Sequence, residues 1–150
     1  MGVKKRDERG ITLIELLIVL TILGILMGVI VPRVMDRPAQ ARQTKAALQI
    51  EALAGALKLY QLDNGRFPTT EQGLEALVEA PEVEPLAPDW REGGYLEKGR
   101  LPLDPWGQEF KYLSPGVHNH DFDLWSTGAD SEEGGEDDDA DITNWAVETG

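Results

Sequence analysis

The residues with the clearest chemical potential are a dense group of carboxylates near the C-terminal end of the chain. Residues 121–150 contain eleven Asp and Glu and no Lys or Arg, and eight of the eleven fall between Asp130 and Asp141. Like charges crowded into one loop destabilise it unless a cation compensates them. The run offers only oxygen donors, without Cys, His or Met, and this donor set favours calcium among the biological metals. A solvated acidic loop without a bound ion is the alternative.

The spacing of these carboxylates does not match an EF-hand. With Asp130 as the first position, Gly135 is sixth and Asp141 is twelfth, where an EF-hand carries Glu. Gly134 occupies the fifth position, which is normally a ligand, and a predicted strand rather than a helix leads into the run. The sequence therefore indicates a calcium site of another kind, followed by large apolar residues that anchor its far end.

A second chemically unusual residue is Glu15, the one charged residue of the apolar segment 11–31. A helix of this length spans about 30 Å, the thickness of the hydrocarbon core of a bilayer. A carboxylate placed there costs on the order of 2.5–3.5 kcal/mol, so we expect Glu15 to have a partner of opposite charge. Lys and Arg outnumber Asp and Glu before the segment, which predicts a cytoplasmic N-terminus and a translocated remainder.

A cleaved secretory signal peptide is the alternative for this segment. The apolar run is longer than the roughly 7–15 residues of a signal-peptide core. It is followed by Val31-Pro32-Arg33 and not by a small-x-small cleavage site. The sequence therefore favours a membrane helix that the mature protein keeps.

The remaining chain predicts an α+β fold. Apolar residues recur at spacings of three and four between 39 and 63, which indicates an amphipathic continuation of the apolar helix, loosened at Pro32 and ended by Asn64 or Gly65. A short helix capped by Thr69 or Thr70 is expected before Pro81, then a loop over 82–105 and short strands at 109–113 and 122–126. We expect a long helix packed on a small antiparallel sheet. The predicted core stripe of the helix is Ala46, Ile50, Leu53, Leu57 and Tyr60.

The residues around Glu15 resemble a known processing signal. Residues 9–16, RGITLIEL, are similar to the class III signal of type IV pilins and pseudopilins. The resemblance implies that a prepilin peptidase cuts between Gly10 and Ile11, and that the carboxylate of Glu15 neutralises the new terminal amine of a neighbouring subunit. It also implies N-methylation of Ile11, which stays open because the family usually has Phe at this position.

Segments further along the chain narrow the resemblance to the major pseudopilins of the type II secretion system. The cysteine pair typical of true pilins is absent. A pilin-like fold is implied, together with a structural role in a periplasmic filament that drives protein export through the outer membrane. The similar segments are 63–74 (DNGRFPTTEQGL), 104–107 (DPWG), 126–130 (STGAD) and 141–145 (DITNW).

The same resemblance implies a calcium site built from both ends of the acidic run. Asp139 and Asp141 precede the Ile-x-Asn-Trp element, and Asp130 is the last residue of the Gly-Ala-Asp motif. Because the loop is long and acidic here, Asp137 or Asp138 is an alternative to Asp139. The implied ligands are the carbonyl of Thr127 and the side chains of Asp130, Asp139 and Asp141.

The implied organisation is a leader peptide (1–10), a transmembrane helix (11–31) and a periplasmic head (32–150) that includes the second half of the helix. The protein is then a single-pass bacterial inner-membrane protein. Implied partners are further copies in a helical homopolymer, minor pseudopilins, an inner-membrane assembly platform, the prepilin peptidase and the membrane. Two alternatives remain at this point: a type IV or competence pilin subunit, and a membrane-tethered calcium-dependent binding protein.

Composition and motifs argue against two other classes of function. The chain has 14 Lys and Arg against 27 Asp and Glu, so it offers no cationic face to nucleic acid. Nucleophile-elbow and phosphate-binding glycine motifs are absent. His118 and His120 are the only His residues, and two loop histidines are more often solvated than catalytic. We expect a protein that is not an enzyme.

Overall fold

The computed structural model describes residues 11–145, and for residues 27–37 it describes the backbone without the side chains. The chain divides into two compact units, residues 1–38 and 39–150. The predicted leader, 1–10, lies outside the described residues, and the predicted membrane segment, 11–31, extends into 27–37. Both remain predictions. Among the described residues, no helix has a stretch that is long and apolar enough to span a membrane.

Helix α1 spans Leu13–Asn64, and the helical assignment continues through Pro32. Gly65 ends the helix: its φ of 75° is left-handed, and its N–H donates to the carbonyl of Gln61 at 2.7 Å. A residue without a Cβ adopts this conformation at little cost, which is why helices so often stop at glycine. Of the two predicted stop residues, Gly65 is therefore the one that takes the left-handed position.

The predicted core stripe of α1 is confirmed. Its five residues are all at most 3% exposed. Four of them, all except Ala46, pack against the 3₁₀ helix Leu74–Leu77, the sheet and the loop before it. Apolar side chains at helical spacing are thereby removed from water along one face, which is the main favourable contribution to folding of residues 39–145. The other large members of the core are Leu74, Leu77, Tyr95, Phe110, Phe122 and Leu124.

The predicted short helix exists only as a single 3₁₀ turn, Leu74–Leu77. It is preceded by a turn in which Thr69 and Gln72 bind each other reciprocally. Thr69 N–H donates to Gln72 Oε1 at 3.0 Å, and Gln72 N–H donates to Thr69 Oγ1 at 3.2 Å. Thr69 closes this preceding turn, but the N-cap of the 3₁₀ helix is Gly73, without a side-chain cap, so the predicted cap at Thr69 or Thr70 is wrong. The four-residue helix is too short to continue with i→i−4 hydrogen bonds.

The sheet has three antiparallel strands in the order β1-β2-β3. Strands β1 (Lys111–Leu113) and β2 (Asp123–Ser126) match the two predicted strands but are shorter. Strand β3 (Ile142–Thr143) was not predicted, because two residues carry no detectable alternation. It pairs with the end of β2, with Ile142 opposite Ser126, so the acidic run connects two neighbouring strands. The antiparallel α+β prediction is confirmed.

Candidate functional site

The acidic loop, defined here as residues 127–141, leaves the sheet at the end of β2 and returns to it at β3. Three hydrogen bonds close it. Ala129 N–H donates to the Asp138 carbonyl at 3.0 Å, Asp141 N–H donates to the Gly134 carbonyl at 3.1 Å, and Gly134 N–H donates to Asp141 Oδ2 at 3.0 Å. The loop therefore folds back on itself and brings its two ends together.

Glycine permits this close return of the backbone. Gly128 has a φ of 64°, and a Cβ at this position would lie 2.8 Å from the carbonyl oxygen of Asp139. A Cβ on Gly135, with a φ of 86°, would also overlap that carbonyl. Neither position accepts a side chain without displacing the backbone. The 3₁₀ turn Asp137–Asp139 is held in this way against the start of the loop.

Helix α1 contacts the loop through two polar side chains. Arg42 Nη1 lies 3.1 Å from Asp138 Oδ2, and Gln43 Nε2 donates to the carbonyl of Asp137. The ion pair is solvent-exposed and thus contributes little to the free energy of unfolding. It gives Oδ2 of Asp138 a cationic partner within the protein, whereas Oδ1 of Asp138 is buried without a hydrogen-bond partner among the described residues.

The four predicted ligands lie in the loop but do not yet form a coordination shell. Thr127 is buried, with its hydroxyl donating to Gln108 Oε1 at 3.2 Å. Asp130 is exposed and accepts from the N–H of Glu132, whereas Asp139 is exposed at the opposite end of the loop. Among the described residues, no group of three or more His, Asp or Glu side chains lies close enough to hold a metal ion.

Asp141 has the environment that a cation would relieve. Its Oδ1 atom is buried and has no hydrogen-bond partner among the described residues. Burial raises the pKa of Asp141, an effect that the N–H of Gly134 opposes and the nearby carboxylates of Glu133 and Asp130 reinforce. The carboxylates of Asp130 and Asp141, two of the predicted ligands, are therefore close enough to repel each other electrostatically. A buried, unpaired carboxylate oxygen beside further carboxylates fits a hard divalent cation.

Glu15 has a structural role at the start of α1 that the sequence analysis missed. Glu15 Oε2 accepts from the N–H of Thr12 at 3.0 Å and from its hydroxyl at 3.1 Å, while Glu15 N–H donates to Thr12 Oγ1 at 3.2 Å. This reciprocal pair is a capping box, and the spacing Thr-x-x-Glu before an apolar run would have revealed it. Ile11 is exposed, and Gly10 lies outside the described residues.

The two histidines do not converge on a reactive group. His118 Nδ1 lies 3.0 Å from Asp123 Oδ2, and the His118 ring stacks on Trp145 with the ring centroids 4.2 Å apart. The side chain of His120 is fully exposed. Asp123, which the sequence analysis did not single out, also accepts the N–H groups of residues 117–119 at 2.7–2.9 Å. It therefore organises the turn between β1 and β2.

Comparison with known proteins matches nearly the whole chain. A family described as "Type II secretion system (T2SS), protein G" matches residues 33–145, and a second, "Prokaryotic N-terminal methylation motif", matches residues 5–31. The type II secretion system core protein G of Pseudomonas aeruginosa is 52% identical over 142 residues, covering 95% of this chain and 98% of that protein. The Vibrio cholerae protein of the same name is 48% identical and covers 97% of each chain.

A solved structure is also similar. The crystal structure of the major pseudopilin from the type 2 secretion system of enterohaemorrhagic Escherichia coli aligns with a TM-score of 0.67 at 41% sequence identity. The alignment covers 79% of this chain and 99% of that one. The long helix and the small three-stranded sheet are thus shared with a pilin-like fold.

Proposed function

This chain belongs to the type II secretion system protein G family, and from this we propose how its residues contribute to the assembly of a filament. The chain is a pseudopilin, a structural subunit of the type II secretion pseudopilus, and its N-terminal motif fits processing by prepilin peptidase. Family membership favours this role over a type IV or competence pilin and over a membrane-tethered binding protein. The single observation that carries it is the order of the two family matches, methylation motif first and head second.

The proposed topology is a single membrane pass with a cytoplasmic N-terminus and a periplasmic head. The basic leader and the apolar segment after it support this orientation. In residues 13–26, the large apolar side chains are strongly exposed, as with Leu13 at 83% and Ile25 at 64%. Side chains of this kind need lipid or neighbouring helices around them. Proposed partners are therefore the membrane, further copies of the chain, minor pseudopilins, the inner-membrane assembly platform and the peptidase. The proposed role is structural, without catalysis.

Replacement of Gly10 tests the processing step. The wild-type chain, isolated from its host, should have an intact mass that begins at Ile11, with one added methyl group if the terminal amine is methylated. Gly10→Val should leave the full-length precursor in the membrane and abolish both filaments and secretion. Gly2→Val is the matched control, since it makes the same change outside the cleavage site and should be processed normally. An N-terminal peptide starting at Ile11 in Gly10→Val would contradict the proposal.

A calcium ion in the acidic loop is the second part of the proposal. The unpaired, buried Oδ1 atom of Asp141 and the crowding of carboxylates around it support such a site. The proposed ligands are the carbonyl of Thr127 and the side chains of Asp130, Asp139 and Asp141. Asp130 and Asp139 are exposed, so both are free to turn towards the ion. Asp138 is the alternative to Asp139: Arg42 pairs with its Oδ2 atom, but its Oδ1 atom is buried and has no hydrogen-bond partner among the described residues. When bound, calcium would offset part of the negative charge of the loop and hold its two ends together.

Thermal melting with calcium and with chelator tests the site in the fragment 39–150, which is one compact unit. A ligand that binds only the folded state stabilises it by about 2.7 kcal/mol at one hundred times its dissociation constant. Calcium should therefore raise the melting temperature clearly, and magnesium less so. Asp130→Ala should lose the effect. Glu132→Ala is the matched control, because it removes one carboxylate from the same loop without removing a proposed ligand. Equal melting temperatures with calcium and chelator would exclude the site.

A further inference from the structure

The amphipathic half of α1 has a second apolar face, on the side of the helix opposite to the core. Leu48, Leu59 and Leu62 are 61%, 41% and 77% exposed. Together with exposed Ala52 and Gly55, they recur at spacings of four, three, four and three, which places all five on one stripe. We call these five residues the outer stripe. Three exposed leucines in one line form a larger apolar surface than the solvent-facing side of a helix normally has.

Gly55, in the middle of the outer stripe, has no function inside its own subunit that the structure reveals. A Cβ added to it would meet no atom of the described chain within 4 Å, and its backbone is ordinary helix. Glycine at such a position weakens a helix relative to alanine. Its missing side chain leaves room for the close approach of a group from outside the subunit.

A second exposed apolar surface lies in the loop before the sheet. Val83 and Leu86 are 43% and 49% exposed. The backbone between them is fixed from behind: Gln72 Nε2 donates to the carbonyls of Val83 and Pro85 at 2.8 Å each, and Arg66 donates to the carbonyl of Leu86. The segment 83–86 therefore presents two aliphatic side chains on a held backbone, which reduces the entropy lost on binding.

The two surfaces carry opposite charge. Residues 39–62 contain three basic residues and one acidic residue; Lys45 flanks the outer stripe on one side, and Lys58 and Glu51 flank it on the other. Residues 81–97 contain five acidic residues and one basic residue. A contact of the outer stripe with itself would bring together two faces of net positive charge, whereas a contact with the segment 83–86 would bring opposite net charges together.

We propose that in the filament the outer stripe of one subunit receives the segment 83–86 of a second copy of the chain, with Gly55 allowing close contact. The contact joins two different surfaces, so it can repeat from subunit to subunit without closing, as a filament requires. The proposal rests on the polymerisation described under the proposed function. It assigns a specific pair of surfaces to that polymer.

Disulfide trapping tests the pairing directly, because the chain contains no cysteine. The full-length variant Leu59→Cys/Leu86→Cys, assembled in its host and mildly oxidised, should give a ladder of covalent multimers on non-reducing gels. Each single variant should give none. Dimers from Leu59→Cys alone would show that the stripe meets itself, and filaments without a ladder would show that the surfaces do not meet; either result would overturn the pairing. A wild-type chain that forms no filaments would instead refute polymerisation, and the pairing with it.

Two substitutions test the interface without new covalent bonds. Gly55→Ala should keep or raise the melting temperature of the full chain in detergent, yet lower the yield of sedimented filaments by about tenfold, as a loss of binding free energy predicts. Leu59→Ser should lower the yield similarly. Val117→Ser is the control, since Val117 is 79% exposed and lies outside both surfaces. Wild-type yields from both stripe variants would overturn the proposal.

Discussion

Asp141 and Gly134 bind each other in both directions across the acidic loop. Gly134 N–H donates to Asp141 Oδ2 at 3.0 Å, and Asp141 N–H donates to the Gly134 carbonyl at 3.1 Å. The pair holds the far end of the loop against its middle and orients the other carboxylate oxygen, Oδ1, into a buried position without a hydrogen bond from any described residue. This is the strongest structural reason to expect a cation beside Asp141.

The stabilisation by calcium should depend on pH in a defined direction. Burial, with the nearby Glu133 and Asp130 carboxylates, raises the pKa of Asp141 in the folded chain above its unfolded value. Without calcium, the ionised carboxylate therefore destabilises the fold at neutral pH, and this penalty disappears as the pH falls through the raised pKa. Calcium binds the ionised form, so the rise in melting temperature should be large at pH 7 and should shrink as the pH falls below the raised pKa.

The variant Asp141→Asn separates this effect from general acid titration. It should melt higher than the wild type in chelator at pH 7, because the buried charge is removed, and it should gain little from calcium at any pH. Glu132→Gln, in the same loop, should behave like the wild type. A calcium shift in Asp141→Asn equal to that of the wild type would argue against Asp141 as a ligand.

Asp123 should stabilise the head at neutral pH and cease to do so in acid. Burial by itself would raise the pKa of Asp123, but the N–H groups of His118, Asn119 and Val117 and the His118 ring lower it further than burial raises it. A lowered folded pKa gives stability that is present above the unfolded pKa and is lost as the pH falls through the folded value.

The variant Asp123→Asn should cost about 2 kcal/mol of unfolding free energy at pH 7, because an amide replaces a charged acceptor of several N–H groups. Urea denaturation at several pH values measures the loss. The difference from the wild type should shrink below pH 4. Asp121→Asn, two residues away and exposed, is the control. A difference that does not change with pH would show that Asp123 acts only by packing.

Glu15 caps the start of α1, and it is proposed to pair with the terminal amine of a neighbouring subunit. Substitution of its capping partner, Thr12, distinguishes the two roles. Glu15→Val should leave a stable membrane-inserted monomer and strongly reduce filament growth, if the carboxylate meets the terminal amine of a neighbour. Thr12→Val removes the capping hydroxyl but keeps the charge. It should cost about 1 kcal/mol of helix stability and leave assembly largely intact. Equal assembly defects in both variants would assign Glu15 to capping alone.

Gln72 should be important for stability, because its side chain joins the turn that begins at Thr69 to the backbone of residues 83–85. Its side chain is buried, accepts from Thr69 N–H and donates to the carbonyls of Val83 and Pro85. Gln72→Ala leaves these groups without partners and should cost about 2–3 kcal/mol, measured by urea denaturation of the fragment 39–150. Gln49→Ala, which removes one exposed hydrogen bond to Leu103, should cost much less. Equal losses of unfolding free energy in the two variants would contradict the prediction that Gln72 contributes more to stability than Gln49.

Local sequence patterns were sufficient to predict part of the structure and the processing signal of this protein. The core stripe from Ala46 to Tyr60 could be predicted because the helical period alone determines which side chains share a face. The processing signal around Gly10 and the motif segments of the family are contiguous strings, so they too can be read without a fold. The same holds for the capping box of Thr12 and Glu15, which its spacing would have revealed.

Tertiary structure decided the remainder. Strand β3 exists because the acidic loop returns to β2, and the roles of Asp123 and Gln72 depend on backbone groups brought to them by distant turns. In the acidic loop, composition predicted a bound cation, but the choice of ligands among the carboxylates rested only on the family resemblance. The fold distinguishes them: it exposes Asp130 and Asp139, pairs Oδ2 of Asp138 with Arg42, and buries one oxygen each of Asp138 and Asp141 without a hydrogen bond from any described residue. Burial and hydrogen bonding depend on residues far apart in the chain, which is why composition and spacing could not assign them.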